Sequence, residues 1–194
     1  MMELYKFGIK FYFKPDIELQ VRDYIPEFHR WIQNDAVKDH LLIDVVDYSH
    51  IPDGPGIMLI AHEGQFSFDM EYGLPGFMYQ RRTEIKGGFH QRLTSVFSTT
   101  VHAVKRLQEN YPDNSMKLIT NKFRFYSNDR LAAENSDSQQ QFYKESVCTF
   151  IQRGFQDTRL KIENFSSTLE RLAFDVSAQQ DYNFLTSREE GKHE

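Results

Sequence analysis

Apolar and polar residues alternate singly over 8–14, where Phe11 and Phe13 face one way and Lys10, Tyr12 and Lys14 the other. A period of two is the mark of a half-buried strand. Pro15 ends the run, and Asp16 is placed to cap a helix after it. From about 17 to 34 the period lengthens, with Val21, Tyr24, Ile25, Phe28, Trp31 and Ile32 at three- and four-residue intervals, which predicts an amphipathic helix. Pro26 costs about 3 kcal/mol inside a helix, so the helix either kinks there or starts near Ile25. Leu41 to Val46 and Ile57 to Ala61 predict two further strands across the turn residues 51–56, the second apolar enough to be central.

The segment 65–85 reads as a hairpin around Gly73-Leu74-Pro75-Gly76, aromatic on one side and closed by Gly87-Gly88. The clearest helix is 90–109, where Leu93, Val96, Phe97, Val101, Val104 and Leu107 form one stripe. Its β-branched content implies that packing against a sheet holds it. Met116 to Tyr126 is a long strand or a pair of strands. A polar loop covers 127–139, and a helix from about 138 to 153 ends at Gly154. Strands at 160–162 and 171–176 complete the pattern, and 177–194 reads as a polar, flexible tail.

Shifting the chain by 119 positions aligns Tyr24 with Tyr143, Phe28 with Val147, Trp31 with Phe150, Ile32 with Ile151, Leu41 with Leu160 and Ile43 with Ile162. At an offset of 112, Lys10-Phe11-Tyr12-Phe13 meets Lys122-Phe123-Arg124-Phe125. The mismatch of offsets falls in the loop before the helix, where insertions cost little. These matches predict a pseudo-duplicated β-α-β-β unit at about 8–61 and 120–176, within a single α+β domain over 1–176. The expected architecture is a mixed, largely antiparallel sheet with about three helices mainly on one face. Residues 8–126 are similar to a ferredoxin-like arrangement elaborated by the 65–85 hairpin.

Composition sharpens this only in places. Phe and Tyr are in excess, 17 and 10 against a single Trp, which points to sheet, core or a recognition surface. A net charge of −5 argues against nucleic acid as the partner. The lone Cys148 cannot form an internal disulfide and fits a reducing, cytoplasmic compartment. No stretch reaches the roughly 20 apolar residues of a membrane span, and the N-terminus lacks a signal-peptide pattern.

Candidate chemistry is sparse. His62 and Glu63 come directly after the most apolar predicted strand, at the kind of strand mouth where α/β packings collect binding sites. Together with Asp69 as acid/base partner and Arg81 as anion contact, they would serve a small-molecule hydrolase or isomerase. Phe66 stands where a His-Glu-x-x-His motif needs its second histidine, and the other histidines show no ligand spacing, so neither a metal nor a cofactor is expected. Gly54-Pro55-Gly56 precedes a strand and reads as a turn, not a phosphate loop. The aromatic hairpin, with Phe66, Phe68, Tyr72, Phe77, Tyr79 and Arg81, is the expected contact surface. The leading expectation is thus a non-enzymatic protein-interaction or small-ligand-binding protein, a homodimer or the partner of another protein, with the enzyme as alternative.

Overall fold

A computed structural model of the chain describes residues 3–15, 19–111, 116–154, 159–165, 170–178 and 183–186. Eight strands form one sheet: β1 (Phe7–Phe13), β2 (Leu42–Tyr48), β3 (Gly56–Ala61), β4 (Gly64–Asp69), β5 (Gly76–Arg81), β6 (Leu118–Ser127), β7 (Leu160–Asn164) and β8 (Ala173–Ala178). Three helices, α1 (Ile25–Gln33), α2 (Phe89–Asn110) and α3 (Asp137–Gly154), connect them.

The order across the sheet is β2-β3-β4-β5-β1-β6-β8-β7. Every neighbouring pair is antiparallel, which corrects the expectation of a mixed sheet. The reason lies in the connections. Each helix leads into a strand that is not a sheet neighbour of the one it left, and strands from elsewhere in the chain fill the space between with antiparallel pairs. Strands β1, β3 and β2 occupy places on one side that β6, β8 and β7 occupy on the other, and β4–β5 is inserted on the first side only.

Pro26 sits in the first turn of α1, where its missing N–H costs nothing. A short 3-10 turn, Val21–Tyr24, carries the rest of the predicted helical stripe. In α2, all six residues of the predicted stripe are buried, and the Gly88 amide donates to Gln91 Oε1 at 3.0 Å. Helix α3 buries Tyr143, Val147 and Ile151.

All three helices join one hydrophobic cluster with Phe7, Ile9 and Phe11 of β1, Phe66 and Phe68 of β4, Phe77 of β5, and Phe123 and Phe125 of β6. Rings interlock throughout it, with Tyr24 at 4.7 Å from Phe68 and Phe97 edge-on to Phe123 at 5.3 Å. The expected polar tail needs correction at its start. Strand β8 runs to Ala178, and Phe184 and Leu185 are buried, Phe184 edge-on to Phe123 at 5.2 Å. Residues 187–194 lie outside the described residues.

Candidate functional site

The hairpin β4–β5 has two faces, because successive strand residues point opposite ways. Phe66, Phe68, Phe77 and Tyr79 all point into the helix-covered core. As rings of a contact surface they are therefore corrected: Phe68 packs on Phe13, Tyr24 and Phe28, and nothing outside can reach it. Tyr72, at the hairpin tip, is 51% exposed, and Arg81 is half-buried.

The enzyme constellation is not brought together. His62 is exposed, and Asp69 lies at the far end of β4, about 17 Å along a strand of this length. Glu63 accepts from the Leu41 amide at 2.8 Å. Burial pushes its carboxyl up, but this hydrogen bond and nearby charges outweigh that and hold it below the usual range. Arg81 donates to Thr83 O at 3.2 Å and lies 3.5 Å from the Tyr79 hydroxyl. Among the described residues no group of three or more His, Cys, Asp or Glu side chains converges as a metal would need.

His40, one of the histidines without ligand spacing, is buried beside that group. Its Nδ1 is 2.8 Å from Lys38 O, a group that can only accept, so Nδ1 carries the proton and Nε2 accepts from Tyr79 at 2.6 Å. Burial pushes His40 down and pushes the Tyr79 phenol up to about 12.

The alternate positions of the hairpin build something else. On the helix-free face one row of partners crosses the sheet from Val46 through Met58, Ser67, Met78, Lys10 and Arg124 to Asp175. It begins apolar and ends charged. Two glycines shape its centre. A Cβ on Gly76 would meet the Lys10 chain at 2.8 Å, and one on Gly8 would meet the Tyr126 hydroxyl at 2.8 Å. Both side chains lie flat on the sheet because these positions are bare.

Lys10, only 2% exposed, reaches across Gly76 to pair with Asp69. Burial pushes its ammonium down, and Asp69 draws it partly back. Arg124 pairs with Asp175 through Nε at 2.8 Å and Nη2 at 3.3 Å, while Tyr12 donates to the same carboxylate and Lys122 lies 3.0 Å away. Burial acts to raise Asp175, but the bonds from Arg124 and Tyr12 outweigh it and hold the carboxyl below its usual value. Burial also pushes both Tyr12 and Tyr126 well above the ordinary phenol range.

A roof covers this floor. Glu71 pairs with Arg171, and the Tyr72 ring meets Phe165 edge-on at 5.1 Å. Arg124 stacks under Phe165, and Arg171 lies 4.6 Å from the Tyr126 ring. The space enclosed holds about one water molecule. Asp69 Oδ1, Ser67 Oγ and Gln80 Nε2 are buried on this face without a hydrogen-bond partner among the described residues. Alternation in Lys-Phe-Tyr-Phe and Lys-Phe-Arg-Phe signals the basic row, but no local pattern signals Asp69 and Asp175 as its partners.

A second cleft, between α1 and α2, is lined by Arg30, Asn34, Arg106 and Asn110. Its buried Glu27 is occupied by Trp31 Nε1 at 2.7 Å, Asn110 and Arg30.

Exposed apolar side chains gather elsewhere. Leu41 (64% exposed), Ile43 (55%), Tyr48 and Ile51 run along edge strand β2 and the turn after it. Met70 N donates to Gly54 O and Gly73 N to Asp53 Oδ1, which set the exposed hairpin-tip residues Tyr72 and Leu74 beside that turn. The Val45 and Ser49 amides of this edge are taken by the Asp44 and Asp47 carboxylates at 2.8 Å. No described helix is long and apolar enough to cross a membrane. No family model matches the chain, and no curated protein matches it.

Proposed function

We propose that the protein is a non-enzymatic, cytoplasmic interaction protein that docks a protein partner on the rim formed by edge strand β2 and the hairpin tip. The scaffold is read as a ferredoxin-like unit with β4–β5 inserted, extended by a duplicated β-α-β-β half. The observation that carries the reading is the rim itself. Of the exposed large apolar side chains, Leu41, Ile43, Tyr48, Ile51, Tyr72 and Leu74 lie on it, and only Leu131 and Phe142 lie elsewhere among the described residues. Clustered exposed apolar area bordered by charge marks interaction sites.

The chemistry of the rim selects the partner. Asp39, Asp44, Asp47 and Asp53 border it, and no Lys or Arg lies between 39 and 53. Arg22 pairs with Asp47 and donates to Ser49 Oγ. Two copies meeting rim to rim would crowd like charges, so the fitting partner presents apolar side chains among Lys or Arg. Asp44 takes the Val45 amide of the edge, and the contact is read as one through the exposed side chains.

A peptide-display selection on the folded protein, counter-selected with the Leu41→Glu/Ile43→Glu variant, tests this. Enriched peptides should combine apolar and basic residues, bind the variant at least tenfold more weakly, and weaken with salt. Peptides that bind both forms equally overturn it. So does a dimer in sedimentation equilibrium that the same substitutions abolish, since the rim would then serve a second copy.

A further inference from the structure

The sheet ends on two edge strands, β2 and β7, and the rim lies on the first. At the other edge we propose that β7 pairs with β7 of a second copy of this chain, antiparallel about Ile162, so that two sheets continue into one across a two-fold axis. The rim plays no part in this contact.

The backbone supplies the first ground. Phe165 N donates to Ala173 O at 3.2 Å, and the register of β7 on β8 runs without a shift. Residues 161, 163 and 165 therefore turn their peptide groups toward β8. The Ser177 hydroxyl, 3.4 Å from Lys161 O, meets that carbonyl on the same side. Alternation then aims the N–H and C=O of Leu160, Ile162 and Asn164 outward, where no donor or acceptor among the described residues meets them. Such a row is a template for another strand unless something blunts it.

The second ground is charge. A lysine blunts an edge because it meets its own kind when a copy docks. Strand β7 instead carries Lys161 and Glu163, both exposed and 2.8 Å apart on the helix-free face. Centred on Ile162, the antiparallel pair sets Lys161 against Glu163 of the copy, and Glu163 against its Lys161, at the close non-hydrogen-bonded positions. Beyond them Arg159 meets Phe165. Asp175, beside Glu163 on β8, is already held by Arg124 and Lys122. Slid by two residues either way, the strands would set Lys161 against Lys161 or Glu163 against Glu163. The register centred on Ile162 satisfies backbone and charge together.

The helix-covered side agrees. Leu160 and Ile162 are half-buried against the core cluster, and pairing lays Ile162 beside Ile162 of the copy, which removes more of their apolar area from water. Edge strand β2, with Asp44 and Asp47 and no basic residue, repels its own copy. Strand β7 offers only 5 residues a side, a small interface of the transient class, so the dimer forms as concentration rises.

Sedimentation equilibrium of the full chain over a concentration series tests this with Lys161→Glu and Glu163→Lys, at exposed positions that the core does not use. The unmodified chain should dimerise reversibly. Each variant by itself sets like charges opposite each other and should raise the dissociation constant about tenfold or more. Mixed in equal amounts, the two variants set a glutamate against a lysine at both positions and should associate at least as readily as the unmodified chain. Leu41→Glu/Ile43→Glu should leave the dimer unchanged. A chain that stays monomeric throughout the series, a dimer that every variant keeps, or a mixture no more associated than its components overturns the proposal and leaves the rim reading standing. A dimer lost only in Leu41→Glu/Ile43→Glu overturns both.

Discussion

On the helix-covered face of the sheet, Phe66, Phe68 and Phe77 fill a core with rings from all sides; one residue along the same strands, Ser67, Asp69 and Met78 border a buried ionic cluster. The first face is non-directional. Any ring of suitable volume contributes by removing apolar area from water. The second is directional, and each member depends on a named partner: Lys10 on Asp69, Arg124 on Asp175, Arg171 on Glu71. Similar burial therefore rests on different physics. A loss on the apolar face leaves a cavity, and a loss on the ionic face leaves a charge.

One truncation on each face gives the largest expected effects. Phe68→Ala should cost about 3–5 kcal/mol through its cavity. Asp175→Ala should cost about as much, 3–5 kcal/mol, because Arg124 is left buried without its carboxylate. Urea denaturation reads both. Repairing the ionic face separates the two mechanisms. Asp69→Leu alone strands Lys10, whereas Lys10→Met with Asp69→Leu should recover stability to within about 1 kcal/mol of the unmodified protein or exceed it. A double variant no better than the single would show that the pair is worth more than its desolvation costs.

Acid distinguishes the faces as well. The Asp175 carboxyl is held below its usual value in the folded chain, so its contribution is complete above the unfolded value of about 3.9 and is lost as pH falls through the folded one. Denaturation midpoints should drop below about pH 4, and Asp175→Asn should flatten that drop. His40 works in the neighbouring range. Burial lowers it, so the unfolded chain takes up its proton first, and stability should decline modestly as pH falls below about 6.5. Tyr79, Arg81, Glu63 and Asp39 surround the imidazole, and His40→Asn should remove this slope. The smallest effect belongs to the rim, where Ile43→Glu should change stability by about 0.5 kcal/mol or less.

Much of the scaffold was legible because it is written locally. The stripe in α2 reads straight off three- and four-residue spacing, and Pro26 marks where α1 starts. The hairpin was legible as a hairpin, and so was the alternation that sets Lys10 and Tyr12 against Phe11 and Phe13. Which side of the hairpin faces outward was not. Aromatic rings fit a core and a contact surface equally well, and only the helices laid over Phe66 and Phe68 decide between them. The tail misled for a related reason. Phe184 and Leu185 stand among polar residues, and two apolar positions form no period, yet they close over Phe123.

Local sequence carries where strands and helices lie, which strand positions share a face, and that basic residues alternate with rings on β1 and β6. Backbone geometry and hydrophobic period settle these within a few residues of chain. Tertiary structure decided what each face meets. Asp69 lies 59 residues from Lys10 in sequence, and Asp175 lies 51 from Arg124 and 163 from Tyr12. Partners at such separations meet only through strand order and register, and no local preference encodes either one. Gly8 and Gly76 show the same division. Their lack of a side chain is visible in the sequence, but the Tyr126 ring and the Lys10 chain that use the space arrive from the fold.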